Sequence, residues 1–191
     1  MIKNISNLGD AALYCDFGKD VNKDTNTKVI RYFKSIQKKN ILGVNNLTPS
    51  YNKLIVSFDL KRTNFKNLKK EIENLDIINS ETITNKKIEI PVCCDEDFSL
   101  DIKRLEEKLK INRERIYENF FDKEFFCYMT GFIAGMPFVG DLDQRLRAKR
   151  LETPRVKVPK GSVALTEQFA NIYTFESPGG WNIIGNTPLD V

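Results

Sequence analysis

Seven of the chain's ten glycines and five of its seven prolines lie between Gly131 and Pro188. Turn formers spaced that closely leave no window long enough for a helix, because each proline removes a backbone donor and each glycine weakens a regular segment. Between them sit short apolar runs: Ser162-Val163-Ala164-Leu165, Ile172-Tyr173-Thr174-Phe175 and Trp181-Asn182-Ile183-Ile184. Short strands joined by irregular crossings, as in a β-barrel or sandwich, are the fold such a pattern permits. The chain has 191 residues with 41% hydrophobic content, enough apolar material for a packed core.

The N-terminal part has the opposite character. Residues 11–17 form a short apolar run closed by Gly18, and the polar stretch 22–27 leads into Val29, Ile30, Phe33 and Ile36, which share one helical face. Residues 41–47 read as a strand broken by Gly43, and Leu54, Val56 and Phe58 alternate as a second one. Asn64 caps a helix with Phe65, Leu68, Ile72 and Leu75 at steps of three and four, and a last strand is expected around residues 81–90. The order βαββαβ is the ferredoxin-like split pattern. Beyond Pro91, Ser99 is the expected cap of a helix carrying Ile102, Leu105 and Leu109, and a second helix starts at Asn112 and buries Ile116 and Phe120. The change of character divides the chain into residues 1–84 and residues 85–191. The fold class expected is α+β, with a barrel following the split βαβ unit.

There is no histidine. That removes Ser-His and Cys-His nucleophile pairs, histidine bases and the commonest zinc ligand. Cys15, Cys93, Cys94 and Cys127 lack paired spacing, so buried free thiols are expected rather than a disulfide framework or a metal site. Basic residues number 30 against 26 acidic ones and are interleaved with them over most of the chain, which argues against a nucleic-acid partner. The N-terminus lacks an apolar signal region and no later run reaches about 18 uncharged apolar residues, so a cytoplasmic protein without a membrane segment is expected.

Three segments carry possible chemistry. The glycine-rich residues 131–140 lack the Gly-Lys-Ser/Thr ending of a nucleotide loop and read first as a barrel corner. Ser177-Pro178-Gly179-Gly180-Trp181 reads as a tight turn with a plugging tryptophan, or as one aromatic wall of a pocket. The most basic stretch holds Arg145, Arg147, Lys149, Arg150, Arg155, Lys157 and Lys160. It is a solvated loop, or it delivers one or two arginines that grip an anion in bidentate fashion. Val156 and Val158 are expected in the barrel wall, which turns Arg155 toward a groove or solvent. Asp141 and Asp143 offer a general base or a Mg²⁺ ligand only as commonplace surface carboxylates do. No catalytic set can be assembled from spacing.

The segments 131–140, Leu142-Asp143-x-Arg145-Leu146, Pro154-Arg155-Val156-x-Val158-Pro159-x-Gly161-Ser162-Val163, Tyr173 and Ser177-Pro178-Gly179-Gly180-Trp181-x-Ile183-Ile184-Gly185-x-Thr187-Pro188-Leu189 occur in one order and spacing. In this the chain resembles the allophanate hydrolase subunit 1 family, which takes in 5-oxoprolinase subunits of the PxpB type, histidine-kinase inhibitors of the KipI type and half of the urea carboxylase carboxyltransferase domain. The resemblance implies a ferredoxin-like domain followed by a cyclophilin-like β-barrel. It implies a 5-oxoprolinase that uses ATP with Mg, inactive without a subunit 2 type (PxpC-like) partner. Arg145 and Arg155 would then hold a substrate carboxylate or phosphorylated intermediate, with Ser162, Tyr173, Gly179 and Gly180 as orienting donors. The alternative it implies is an inhibitor docking a sensor histidine kinase through Phe138, Phe169 and Trp181.

Some positions depart from the family. Phe120 stands where relatives commonly have a histidine, and Glu167-Gln168-Phe169-Ala170-Asn171 replaces a Gly-x-Gln-Thr-Gly segment. Ala134 replaces a usual proline and Asp141 a usual glycine. The sequence stops at Val191, shortly after Thr187-Pro188, where relatives continue through further strands.

Overall fold

The computed structural model describes residues 1–78 and 86–190. They pack as two compact units, Met1–Asn85 and Lys86–Val191.

In the first unit, β1 (Asn4–Asn7), β2 (Ala12–Asp16), β3 (Val44–Pro49) and β4 (Lys53–Phe58) form an antiparallel sheet in the order β1-β2-β4-β3. Helices α1 (Lys23–Lys39) and α2 (Phe65–Glu73) join and follow these strands. Local chemistry sets the helix ends. The Asn22 and Asn64 side chains accept from the backbone N–H of Thr25 and Asn67, and Asn40 closes α1 in the left-handed conformation. Alternation in β2 and β4 turns Leu13, Cys15, Leu54, Val56 and Phe58 into a core completed by Val29, Ile36, Leu68 and Ile72.

Three sequence readings need correction here. Strand β1 is absent from the sequence expectation, since Asn4-Ile5-Ser6-Asn7 has one buried apolar residue and no alternating run. It pairs with β2 at the sheet edge. Of the strand expected at 81–90, residues 86–90 carry no strand and Ile88 is exposed, while residues 81–85 lie outside the described residues. The strand expected at 41–47 begins at Val44, because Gly43 holds a left-handed turn (φ 85°).

The second unit opens with α3 (Ile102–Leu109) and α4 (Arg113–Phe121). Its main sheet combines β5 (Phe126–Thr130), β6 (Pro137–Gly140), β8 (Ser162–Thr166), β9 (Phe169–Ile172) and β11 (Asn182–Asn186), in the order β11-β8-β9-β6-β5. A separate ribbon pairs β7 (Arg155–Val158) with β10 (Ser177–Gly179). The outer face of the main sheet buries Val163, Leu165, Ala170, Ile172 and Ile184 with α3 and α4 residues Ile102, Leu105, Ile116 and Phe120. The inner face presents Ala164, Tyr173 and Ile183, packed with Met136 and with Val158 of the ribbon. The fold is thus a mixed α/β chain with antiparallel sheets.

Several local readings shift. Asn112 caps α4 as expected, whereas Ser99 does not cap α3: its hydroxyl donates to the carbonyls of Cys94 and Asp95. The apolar run 172–175 is mostly past its strand, since β9 ends at Ile172. Val156 does not enter the wall; it is 80% exposed while Val158 is buried, because the ribbon register slips between Ser177 and Gly179. Among the thiols, Cys15 alone is buried; Cys93 and Cys94 are intermediate and Cys127 is exposed, all of them free.

Candidate functional site

The central strand of the main sheet is β9, and Asn171 lies at its middle. Its register partners are Phe138 on β6 and Ala164 on β8, and Ala164 in turn pairs with Ile183 on β11. A carboxamide therefore stands in an otherwise apolar cross-strand row on the inner face, 1% exposed. Two residues on, Tyr173 is buried on the same face. Asn171, the Trp181 backbone N–H, Arg150 and Arg155 lie near enough to its hydroxyl to favour the phenolate. Burial outweighs these and pushes the phenol above its ordinary value, so Tyr173 stays protonated at neutral pH.

Gly179 is what lets the tyrosine fit. A Cβ there would stand 2.1 Å from the Tyr173 hydroxyl oxygen, and one at Gly180 would meet the Arg150 guanidinium at 3.0 Å. Across the ribbon Gly179 pairs with Arg155. The Arg155 side chain is 28% exposed, and its Nη2 lies 2.7 Å from Oδ1 of Asp101, a carboxylate only 4% exposed. Asp101 Oδ2 accepts from the Ile183 backbone N–H at 2.7 Å. Arg155 is therefore a member of an internal ion pair with Asp101, where its position in the sequence suggests a side chain facing a groove or solvent. Three buried side-chain atoms have no hydrogen-bond partner among the described residues: Arg155 Nη1, Asn171 Oδ1 and Ser177 Oγ. Such atoms are rare, since each forfeits about 1–3 kcal/mol.

The remaining site residues named from sequence lie as follows. Arg145 is exposed and grips Asp143 through Nε at 3.0 Å and Nη2 at 2.9 Å, which holds the Asp143 carboxyl well below the usual range. Ser162 is buried and meets Tyr173 through the backbone, its carbonyl accepting the Tyr173 N–H. Phe138 packs edge-on against Trp181 at 5.5 Å, and Phe169 edge-on against Tyr128 at 6.0 Å. All three predicted anchors are half-buried. Sequence reasoning leaves Asn171, Asp101, Ser177 and Arg150 out of the site. A lone polar residue between Ala170 and Ile172 is the available signal for Asn171; nothing local marks Asp101.

Residues 131–136 form the connection between β5 and β6, and three of their amides bond within the connection or to its ends: Gly131 N–H to Met136 O, Ile133 N–H to Gly131 O, and Met136 N–H to Ile133 O. Among the described residues no group of three or more His, Cys, Asp or Glu gathers to hold a metal. Asp141 accepts from the Tyr128 hydroxyl at 2.9 Å and from Gln168 at 3.2 Å. In the first unit a groove of about 300 Å³ runs between α1 and β3, lined by Phe33, Ile36, Asn40, Ile41, Val44 and Leu47 among others, with no titratable group. No helix among the described residues is long and apolar enough to cross a membrane.

Residues 3–191 match the family described as carboxyltransferase domain, subdomain C and D, and the chain belongs to that family. It is 31% identical to a Bacillus subtilis (strain 168) protein named as a 5-oxoprolinase subunit, over 97% of this chain and 82% of that one. It is 29% identical to the Haemophilus influenzae protein of the same name, over 96% and 85%. The crystal structure of TTHA0988 superposes with a TM-score of 0.83 at 26% identity over 94% of this chain; the match spans only 36% of the TTHA0988 chain.

Proposed function

We propose that this chain is one subunit of an ATP-dependent 5-oxoprolinase, which opens a cyclic amide to an amino acid and works only with a subunit 2 type (PxpC-like) partner. The reading divides the chain into a ferredoxin-like domain and a cyclophilin-like barrel, with the substrate held on the barrel's inner face. The observation that carries it is the similarity over nearly the whole chain to proteins named as 5-oxoprolinase subunits, in a chain whose second unit buries unpaired polar atoms of Arg155, Asn171 and Ser177.

This chain's residues serve binding and orientation. Asp101 fixes the guanidinium of Arg155, leaving Nη1 to donate. Tyr173 is a neutral donor and holds Asn171 in place. The chain lacks histidine, and burial raises the thiols of Cys15 and Cys94. Phe120, in the family's histidine position, is buried against Phe121 and Phe125. Half a site of this kind orients a substrate but lacks the groups to lower the barrier.

The kinase-inhibitor alternative needs aromatic anchors on display, and Phe138, Phe169 and Trp181 are half-buried. The test is to assay glutamate and ADP release from 5-oxoproline and ATP with the chain alone and mixed with a subunit 2 type protein. Turnover is expected only in the mixture. Turnover by the single chain overturns partner dependence, and no turnover in the mixture overturns the enzyme reading.

A further inference from the structure

Residues 40–52 carry no charged side chain, in a chain where 29% of residues are charged. Strand β3 lies inside this stretch and forms one edge of the first sheet, paired with β4 and with no other strand among the described residues. Edge strands are ordinarily kept from pairing with other chains by lysines, by shortness or by a bulge. The opposite edge follows that rule: β1 has four residues, and Lys3, whose N–H bonds Asp16 O, prolongs its pairing with β2. Strand β3 has six residues; its bulge lies at its start, between Val44 and Asn46, and Pro49, which has no N–H to give, ends it. Asn46, Leu47 and Thr48 are left as a regular, uncharged edge. Beside it runs the groove of about 300 Å³ between α1 and β3, with Phe33, Ile36 and Ile41 as apolar lining and the amides of Gln37 and Asn40 on the helix side. Just before the strand, Leu42 is 69% exposed.

We infer that β3 pairs antiparallel with β3 of a second copy of this chain, about a two-fold axis at Leu47. The register follows from the faces. Across β4, Leu47 stands opposite Val56 and Pro49 opposite Leu54, and Val56 and Leu54 are buried in the core shared with the helices, so Leu47 faces the helix side, where the groove is. Asn46 and Thr48 stand opposite Ser57 and Ile55 on the other face and are exposed. Opposed residues of an antiparallel pair share a face. With the axis at Leu47, that leucine meets its own copy beside the groove, and Asn46 meets the partner's Thr48 on either side of the axis. The Asn46 carboxamide already donates to Thr48 Oγ1 of its own strand at 3.2 Å, so the two side chains are matched as donor and acceptor. Moving the axis to Asn46 or Thr48 sets Leu47 against Asn45 or Pro49 instead. A second copy is the occupant because the edge fits itself: it offers no charge for a charged strand to answer, and a two-fold contact closes after two chains. The formal net charge of +4 leaves little repulsion between copies. The contact is independent of the 5-oxoprolinase reading.

The test is sedimentation equilibrium of the purified full chain between about 1 and about 300 µM, the range in which a short contact dissociates. The mass is expected to rise from one chain to two. Asn46→Lys with Thr48→Lys, both at exposed positions, sets lysine against lysine twice across the axis. It should raise the dimer dissociation constant about tenfold or more while the far-ultraviolet spectrum stays that of the parent chain. Asn46→Lys with Thr48→Asp sets opposite charges against each other in the same register and should restore the dimer. Asn7→Lys, on the edge strand β1, should associate as the parent chain does. A parent chain that stays single over the whole range overturns the inference; if it pairs only after a subunit 2 type protein is added, the edge belongs to a strand of that protein and the second copy is ruled out. Association that the two lysines leave unchanged, or that Asn7→Lys abolishes, places the contact elsewhere and overturns it too. So does a Lys and Asp combination that stays as dissociated as the two lysines, since the axis is then not at Leu47.

Discussion

Replacing Asp101 by alanine should weaken the second unit more than any surface change. The carboxylate is 4% exposed and each oxygen holds one bond, Oδ1 to Arg155 Nη2 and Oδ2 to the Ile183 N–H, both at 2.7 Å. The substitution removes both acceptors and strands a backbone donor and a guanidinium. A hydrogen bond to a charged group contributes about 1.5–3 kcal/mol. Breaking a buried ion pair from one side costs about 3–5 kcal/mol. Arg155 is 28% exposed on its side chain, so water recovers part of its charge and the lower end applies, about 3 kcal/mol for Asp101→Ala. Asp101→Asn keeps one oxygen for Ile183 but loses the charge facing Arg155, and should cost about 2 kcal/mol. Arg155→Lys keeps the charge and loses the fork, at about 1–2 kcal/mol. Urea unfolding of the full chain, followed by Trp181 fluorescence, reports on this unit directly. If Asp101→Ala unfolds within about 0.5 kcal/mol of the parent chain, as a surface substitution does, the pair is not structural and the fixing of Arg155 fails.

Gly179→Ala should cost about 1–3 kcal/mol by overpacking, because its Cβ would meet the Tyr173 hydroxyl at 2.1 Å; an unchanged melting temperature would count against that contact. Burial pushes the Cys15 thiol up to about 12, so a thiol reagent should spare it in the folded chain and reach all four cysteines after denaturation without reductant; a disulfide found then would refute the free-thiol assignment. Asp16 is held below its ordinary value chiefly by a hydrogen bond from Lys53. The stability it contributes is complete above about pH 4 and is lost as pH falls through the folded-state value, so Asp16→Asn should flatten the acid limb of the unfolding curve, and a parallel limb would contradict the linkage.

How much of the fold is legible depends on whether a segment carries its own signal. The helix caps Asn22, Asn64 and Asn112 are local chemistry, and at each a side-chain oxygen meets the N–H three residues on. Strands β4, β8 and β11 carry their apolar residues in recognisable runs. Strand β1 carries none, and its place at the edge comes from the four register pairs that β2 offers it. Ser99 has the right residue type for a cap, yet its hydroxyl bonds the carbonyls of the turn before α3, and that choice is tertiary. Val156 fails for a different reason: period-two alternation assumes a regular ladder, and the slip in the ribbon removes it.

The candidate site is harder to read because its members come from four places in the sequence and none is chemically conspicuous alone. Arg155 and Asp101 stand 54 positions apart, and only packing tells an arginine in a basic stretch from one with a buried partner. Arg145 has the same residue type, but its partner is Asp143 two residues away, a local grip on the surface that leaves no donor aimed inward. The basic stretch thus divides by partner, with Arg145 closed by its own turn and Arg155 anchored by Asp101 while its Nη1 stays unpaired. Asn171 is the second case of an unpaired buried atom. In a strand whose neighbours Ala170 and Ile172 serve the outer core, an inward alanine would pack with no unpaired atom at all. A carboxamide there, with its oxygen left without a partner, is a loss of about 1–3 kcal/mol that an alanine would not incur.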